Sequence, residues 1–163
     1  MVAMDATELS AYSVQHNPWH AAIYNANTAQ TVAVGSAVRL TFDTVEYDPS
    51  GMSSLGAGNS FMIIQQPGVY LINGAVTMAS IADTIGLLVS VYKSGAELAR
   101  GAEYTIGSAA PTISQLSASC TATLAIGDVI ALYAQNFTTN RAVYIGSNNA
   151  AFTYLQVCYI GPA

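Results

Sequence analysis

The strongest constraint in this sequence is a two-residue alternation of side-chain types over residues 68–78. Successive side chains of an extended strand point to opposite faces, so this period predicts a β-strand with two different surfaces. The face predicted to lie in the core contains Tyr70, Ile72, Gly74, Val76 and Met78. The opposite face is mixed, as expected of a surface packed against another subunit. It contains Val69, Leu71, Asn73, Ala75 and Thr77.

The alternation returns over residues 115–124, where it places Cys120 inside and a ladder of serines and threonines outside. From Trp19 onward, short β-type runs are separated by Gly, Pro, Asn and Asp, a pattern typical of an antiparallel sandwich or barrel. Asp48-Pro49-Ser50-Gly51 is predicted to be a turn. The candidate strands are residues 20–24, 31–34, 38–43, 60–64, 68–78, 85–93, 96–101, 112–122, 129–135, 142–145 and 151–160. We therefore predict an all-β fold.

Residues 1–18 show no sustained period and are predicted to form an extended arm before a single domain, residues 19–163. Fully extended, such an arm reaches roughly 60 Å, enough to lie on a neighbouring subunit or a docking surface. Trp19, the sole tryptophan, is predicted to anchor the arm by packing on the domain or a neighbour. A stacking contact between Trp19 and a sugar is the alternative.

The chain is poor in charge. Charged residues make up 8% of it and hydrophobic residues 52%, whereas typical domains have about 25% and 45–50%. These charges are too few to cover an ordinary monomer, so we expect subunit contacts to hide much of the surface.

The sign of the charge and the hydropathy pattern exclude two classes of partner. Arg39, Lys93, Arg100 and Arg141 face nine carboxylates, for a net charge of −5, which disfavours direct binding of nucleic acid. No run approaches the roughly 18 apolar residues of a membrane span, and no signal-peptide pattern begins the sequence. We expect a soluble protein with no membrane partner that is not exported by the classical route.

Several segments follow one another in the order found in a known family. Residues 40–52 are followed by Phe61, by Pro67-Gly68-Val69-Tyr70 and by Gly127-Asp128, before a final strand that ends in Gly161-Pro162. From about residue 21 to the end, the chain resembles the C1q/tumour-necrosis-factor type of jelly roll. The resemblance implies an antiparallel β-sandwich of about ten strands that assembles as a homotrimer and acts by binding. The residues predicted to form the core and the trimer are Phe61, Tyr70, Ile72, Val76, Leu124, Leu132 and Phe152.

The sequence has neither a collagen-like tract nor an export signal, so it resembles the C1q-like modules of tailed-bacteriophage virion proteins more than secreted animal proteins. This resemblance implies a non-enzymatic capsid decoration (cement) protein, assembled in the host cytoplasm and located in the virion. Its expected partners are other copies of itself and the phage major capsid protein or another virion protein. A receptor- or glycan-binding head of a phage fibre or cell-surface adhesin is the alternative.

The search for chemistry gives little. The sequence has no Gly-x-Ser-x-Gly elbow, P-loop or dinucleotide fingerprint, so we expect no enzyme and no cofactor. His16 and His20 have the spacing of a helical metal pair, but Pro18 breaks that helix, which favours ordinary loop residues. Cys120 and Cys158 lack the spacing of a zinc site and are expected to be free and buried rather than bonded to each other.

Three further features have a binding interpretation beside a plainer one. Asp43, Glu46 and Asp48 could supply oxygen ligands to calcium, but solvated turn carboxylates are the favoured reading. Asn136-Phe137-Thr138 matches a glycosylation sequon that we expect to be accidental. The ten tyrosines are either core and interface filler or glycan platforms. Residues 135–140, with Asn148 and Asn149, would carry the polar groups of a ligand surface.

Overall fold

The computed structural model describes residues 18–56, 59–81, 85–101, 104–106, 112–137, 140–143 and 153–163. These ranges contain no helix, and therefore none long and apolar enough to cross a membrane. The predicted arm and Phe152 lie outside the described residues. The strands are β1 (His20–Tyr24), β2 (Thr31–Val32), β3 (Val38–Arg39), β4 (Thr44–Tyr47), β5 (Ser53–Ser54), β6 (Phe61–Ile63), β7 (Gly68–Ile81), β8 (Ile85–Lys93), β9 (Ala96–Arg100), β10 (Tyr104–Ile106), β11 (Thr112–Leu124), β12 (Val129–Asn136), β13 (Arg141–Ala142) and β14 (Tyr154–Gly161).

The strands form two large antiparallel sheets. The five-stranded sheet has the order β11-β7-β14-β1-β4. The seven-stranded sheet has the order β10-β8-β12-β6-β5, with β3 also paired to β12 and β9 to β8. A short third sheet pairs β13 with β2. This arrangement confirms the predicted all-β jelly-roll sandwich.

The core lies between the two large sheets and follows the predicted alternation. Tyr70, Ile72 and Val76 on β7 are fully buried, and Leu132 on β12 is buried opposite them. Burying a side chain of this size contributes about 1.5–3 kcal/mol. A Cβ at Gly74 would lie 2.5 Å from Leu132 Cδ1, so the missing side chain lets Leu132 reach the backbone of β7.

The predicted strands 20–24 and 85–93 coincide with β1 and β8. The predicted strand 38–43 is too long, because β3 ends at Arg39. Beyond Arg39 the backbone is held by side chains: Thr41 N–H donates to Gln30 Oε1 at 2.8 Å, and Phe42 N–H to Ser60 Oγ at 2.8 Å. Since these donors are satisfied outside a ladder, the segment stays buried without forming a strand.

The predicted turn at residues 48–51 is present. Asp48 holds it by accepting the Met52 N–H at 2.8 Å. A second turn has Ile126 and Gly127 as its central residues, and Gly127 has a φ of 86°. Asp128 closes that turn, since its carboxylate accepts the Ala125 N–H at 2.7 Å.

Gly101 follows β9 and lies against β11 of the other sheet. A Cβ there would lie 2.1 Å from the Ser117 carbonyl oxygen of β11, and a backbone atom cannot move aside as the tip of a side chain can. We expect Gly101→Ala to lower the free energy of unfolding by about 2–3 kcal/mol, measured by chemical denaturation at fixed protein concentration. Gly56→Ala is the matched control, because nothing lies within 4 Å of a Cβ there. Equal stability of the two variants would contradict the close approach.

Candidate subunit interface

The five-stranded sheet is almost free of formal charge. Strands β1, β7, β11 and β14 contain no Asp, Glu, Lys or Arg, and Glu46 on β4 is the one charged residue of the sheet. The cations whose side chains the structure describes, Arg39, Lys93 and Arg100, all belong to the seven-stranded sheet. The described cations therefore all lie on one sheet of the sandwich, and the other sheet is nearly uncharged.

The strand register identifies which uncharged residues share the outward face. Residues directly opposite each other in an antiparallel ladder point to the same side. One cross-strand row consists of Thr121, Leu71, Cys158 and His20. The next row consists of Ser119, Asn73, Gln156 and Ala22. We call these eight residues the neutral face.

The neutral face combines apolar and neutral polar groups. Leu71 is 37% exposed, and Ile160, at the end of β14 beside it, is 59% exposed. Ser119 Oγ donates to Asn73 Oδ1 at 2.6 Å, so part of its polar surface is already satisfied within the chain. The cores of protein–protein interfaces are likewise depleted in charge.

The neutral face covers only part of β7. Ala75 and Thr77 were predicted to pack against another subunit, but each is 1% exposed within this chain. Thr77 N–H donates to Thr153 Oγ1 at 3.1 Å, so the residue before β14 continues the hydrogen bonding along this end of β7. The prediction is therefore wrong for these two residues, and Leu71 and Asn73 define the accessible part.

Strand β11 is the edge strand beside the neutral face. It runs for 13 residues without a charge or a proline, and no described strand pairs with its outer side. A long uncharged edge strand can pair with another chain, and proteins normally prevent this with lysines, prolines or bulges. Here the outer edge of β11 offers backbone hydrogen-bonding groups, whereas the neutral face beside it offers side chains.

Five of the seven predicted core and trimer residues lie on the inner side of the sheets, whereas Phe61 lies on the outward face beside Arg39. Tyr70, Ile72, Val76, Leu124 and Leu132 are buried within one subunit. Their part in a trimer stays a prediction. Phe61, on β6 of the opposite sheet, is half-buried. Gln156, Cys158 and Ile160 were not predicted to lie on the outward surface, whereas Leu71 was, although the absence of charge from their strands is visible in the sequence.

Trp19 and His20 lie where β1 begins. Trp19 is half-buried, packs against the core and accepts the Tyr159 N–H on its backbone oxygen at 2.9 Å. His20 stacks on the ring of Tyr47 with centroids 4.2 Å apart. His16 lies outside the described residues, so the structure does not place the two histidines together.

Cys120 and Cys158 are both free, as predicted, but half-buried rather than buried. They lie on strands separated by β7. Cys120 pairs with the inward-facing Ile72 and Cys158 with the outward-facing Leu71, so the two thiols point to opposite sides and cannot bond. Burial raises the pKa of the Cys120 thiol.

The candidate calcium ligands organise separate turns. Asp43 accepts hydrogen bonds at 2.7–2.9 Å from three backbone N–H groups, of Ala26, Asn27 and Thr28, and also from two hydroxyls. Asp48 holds the following turn, and Glu46 is exposed between them. No group of three or more His, Cys, Asp or Glu that could hold a metal occurs among the residues the structure describes.

The predicted sequon also has a structural explanation. Asn136 ends β12 and is 0% exposed, and its backbone oxygen accepts the Gly35 N–H at 2.8 Å. In the folded domain this side chain is closed to a modifying enzyme, so the sequon marks a buried strand end.

Comparisons with known proteins bear on the fold. No protein-family model and no curated protein matches the sequence. The structure of Eiger TNF from S. frugiperda matches with a TM-score of 0.64 at 13% identity, over 88% of this chain and 93% of that chain. The globular domain of zebrafish complement 1qA matches with a TM-score of 0.55 at 13% identity, over 88% and 98%. Murine APRIL matches with a TM-score of 0.59 at 14% identity, over 86% and 99%. The fold is thus similar to that of C1q and TNF domains.

The Asp43 contacts predict how acid affects stability. Burial alone would raise the pKa of Asp43, but hydrogen bonds from Ala26, Asn27, Thr28 and Thr44 outweigh it and lower the pKa to about 2. Because the folded pKa lies below the unfolded one, the stabilisation is complete above about pH 4 and is lost as the pH falls towards 2.

We expect Asp43→Asn to lower the free energy of unfolding at neutral pH by about 1–2 kcal/mol. Between about pH 4 and 2, the free energy of unfolding of the variant should depend less on pH than that of the parent protein. Denaturant titrations across this range measure both effects. Glu46→Gln, which removes an exposed carboxylate three residues away, is the control. If stability fell with acid in Asp43→Asn as it does in the parent protein, this carboxylate would not be what holds the loop of Ala26, Asn27 and Thr28.

Proposed function

We propose that this protein is a non-enzymatic structural component of a tailed-phage virion, a homotrimer that decorates the capsid and stabilises it. The observation that carries the proposal is the neutral face: adjacent strands without a formal charge present accessible Leu71 and Ile160 beside an open edge. Such a surface is poorly suited to water and well suited to a second copy of the chain.

A cyclic trimer is the assembly that accounts best for this surface. The neutral face and the β11 edge are different patches, and a head-to-tail contact between different patches closes into a ring when the rotation permits. The C1q/TNF-like fold supports an assembly of three subunits, which is the number implied by the sequence resemblance. Apolar area buried in each contact contributes about 25 cal/mol per Å².

The protein acts in this proposal by binding, not by catalysis. His20, the one histidine in the described ranges, stacks on Tyr47. Among the described carboxylates, Asp43 and Asp48 close turns, Asp128 contacts Lys93 at 2.9 Å and Glu97 contacts Arg100 at 2.7 Å, and Glu46 is exposed. These roles are structural.

On the particle, the partner is the major capsid protein or another virion protein, and the N-terminal arm contributes to attachment. Binding to the assembled shell but not to its separated subunits would stabilise the shell by mass action. The low charge of the chain and its resemblance to phage C1q-like modules support this location.

Leu71→Glu tests the trimer. Three unpaired carboxylates would be buried in the contacts, so we expect the trimer dissociation constant to rise by about 100-fold or more. Size-exclusion chromatography with light scattering measures the mass. Leu55→Glu is the matched control, since Leu55 has the same 37% exposure but follows β5 of the seven-stranded sheet, and the change in residue and charge is the same. A monomeric parent protein, or a trimeric Leu71→Glu variant, would contradict the proposed contact.

The virion location has its own test. Mass spectrometry of purified particles of the phage that encodes this chain should detect the protein at a copy number that fits trimers on the shell. Particles stripped of it should rupture at a lower temperature and recover when it is added back. Its absence from purified particles would overturn the proposed location without affecting the trimer.

A further inference from the structure

The outward face of the seven-stranded sheet carries a cation held among aromatic rings. The Arg39 guanidinium lies 5.8 Å from the centroid of the Phe61 ring and 5.5 Å from that of Tyr133. Its Nε donates to Tyr133 Oη at 2.9 Å, and one terminal nitrogen donates to Asn59 Oδ1 at 2.6 Å. Tyr92 packs on Tyr133 with centroids 4.1 Å apart. We call these five residues the Arg39 platform.

Arg39 differs from the other cations in having only neutral partners. Lys93 and Arg100 each contact a carboxylate, whereas no salt bridge of Arg39 occurs among the described residues. A guanidinium has five N–H donors, and Asn59 and Tyr133 engage two of them. The charge is therefore oriented in advance yet not neutralised by a carboxylate of the described residues. An external carboxylate is the group that complements it.

A small depression beside the platform adds a hydrogen-bonding group. It has a volume of about 10 Å³, and Ser90, Tyr92, Tyr133 and Gln135 contribute to its lining. This is the size of one water molecule or one hydroxyl group. Ser90 is 3% exposed, and none of the hydrogen bonds within the described part of the chain involves its hydroxyl.

We propose that the Arg39 platform and this depression bind a sugar that carries a carboxylate, such as a hexuronic acid in an acidic polysaccharide. The guanidinium pairs with the carboxylate, and the tyrosine rings contact the C–H face of the sugar. The depression receives a hydroxyl, which bonds to Ser90. Aromatic rings, amide groups and one cation at the same place match the mixed apolar and hydroxylated surface of a sugar.

This site lies on the sheet opposite the neutral face, so it remains accessible when the neutral face is covered by another subunit. The proposal goes beyond assembly and does not depend on the location in a virion. Loss of sugar binding and loss of the trimer are measured separately, so each can fail alone.

The test is a titration of the full-length protein with trigalacturonate, followed by amide NMR shifts and by calorimetry. The methyl ester of the same trisaccharide, which keeps the rings but lacks the charge, is the matched ligand control. We expect trigalacturonate to shift resonances around Arg39, Ser90 and Tyr133, with an affinity that falls as salt rises. The ester should bind at least about tenfold more weakly.

Variants locate the effect. Arg39→Gln should weaken binding at least about tenfold, whereas Lys93→Gln, which removes a cation already paired with Asp128, should not. Ser90→Ala removes a hydroxyl that stabilises nothing in the described chain, so it should weaken binding while leaving thermal unfolding unchanged. This second variant keeps the test decisive if Arg39→Gln destabilises the fold.

Three outcomes would overturn the proposal. One is the absence of platform shifts up to millimolar trigalacturonate, and another is equal binding of the ester. The third is equal or tighter binding of a glutamate-rich peptide, which would identify a docking site for acidic protein segments instead of a sugar site.

Discussion

The ladder between β7 and β11 is the constraint on which the rest of this structure depends. It runs from the pair Gly68–Leu124 to the pair Ile81–Thr112, and it fixes which side chains enter the core. With Ile72 and Val76 inside, Leu71 and Asn73 must lie outside, because the side-chain period of a strand is two. A shift of one residue would bury Asn73 and expose Ile72, so the core and the neutral face are set together.

The two strands of this ladder can be predicted from the sequence, but the short segments around them cannot. Alternation predicts β7 and β11, since both are long and have one buried face. It fails for β4 and β5, which are edge strands of four and two residues and too short to show a period. It also fails at Thr41 and Phe42, whose amides bond to Gln30 and Ser60. Those acceptors are distant in sequence, so a local pattern cannot reveal them.

The candidate sites differ in predictability for the same reason. The neutral face could be predicted in part, because the absence of charged residues from a strand can be read directly from the sequence. The burial of Ala75 and Thr77 could not, because alternation puts them on the same face as Leu71 and Asn73 and does not show which part of that face is covered. The Arg39 platform collects residues from β3, β6, β8 and β12, together with Asn59. The sequence showed an excess of tyrosine, but only the sheet order places Tyr92 and Tyr133 beside Arg39.

The five-stranded sheet is nearly uncharged and the seven-stranded sheet carries the described cations, so the two sheets suit two different kinds of binding. A contact that excludes water favours the neutral face, since each unpaired ion buried there would cost several kcal/mol. Recognition of an acidic sugar needs a cation at the surface, and Arg39 lies on the opposite sheet. A site of this kind is weak when alone, because a single charged pair near solvent contributes little. A trimer presents three copies and a decorated shell many more, so simultaneous contacts can raise the overall affinity by about 100-fold or more without a new interaction. In the proposed trimer, assembly through one sheet would therefore make a shallow site on the other sheet effective.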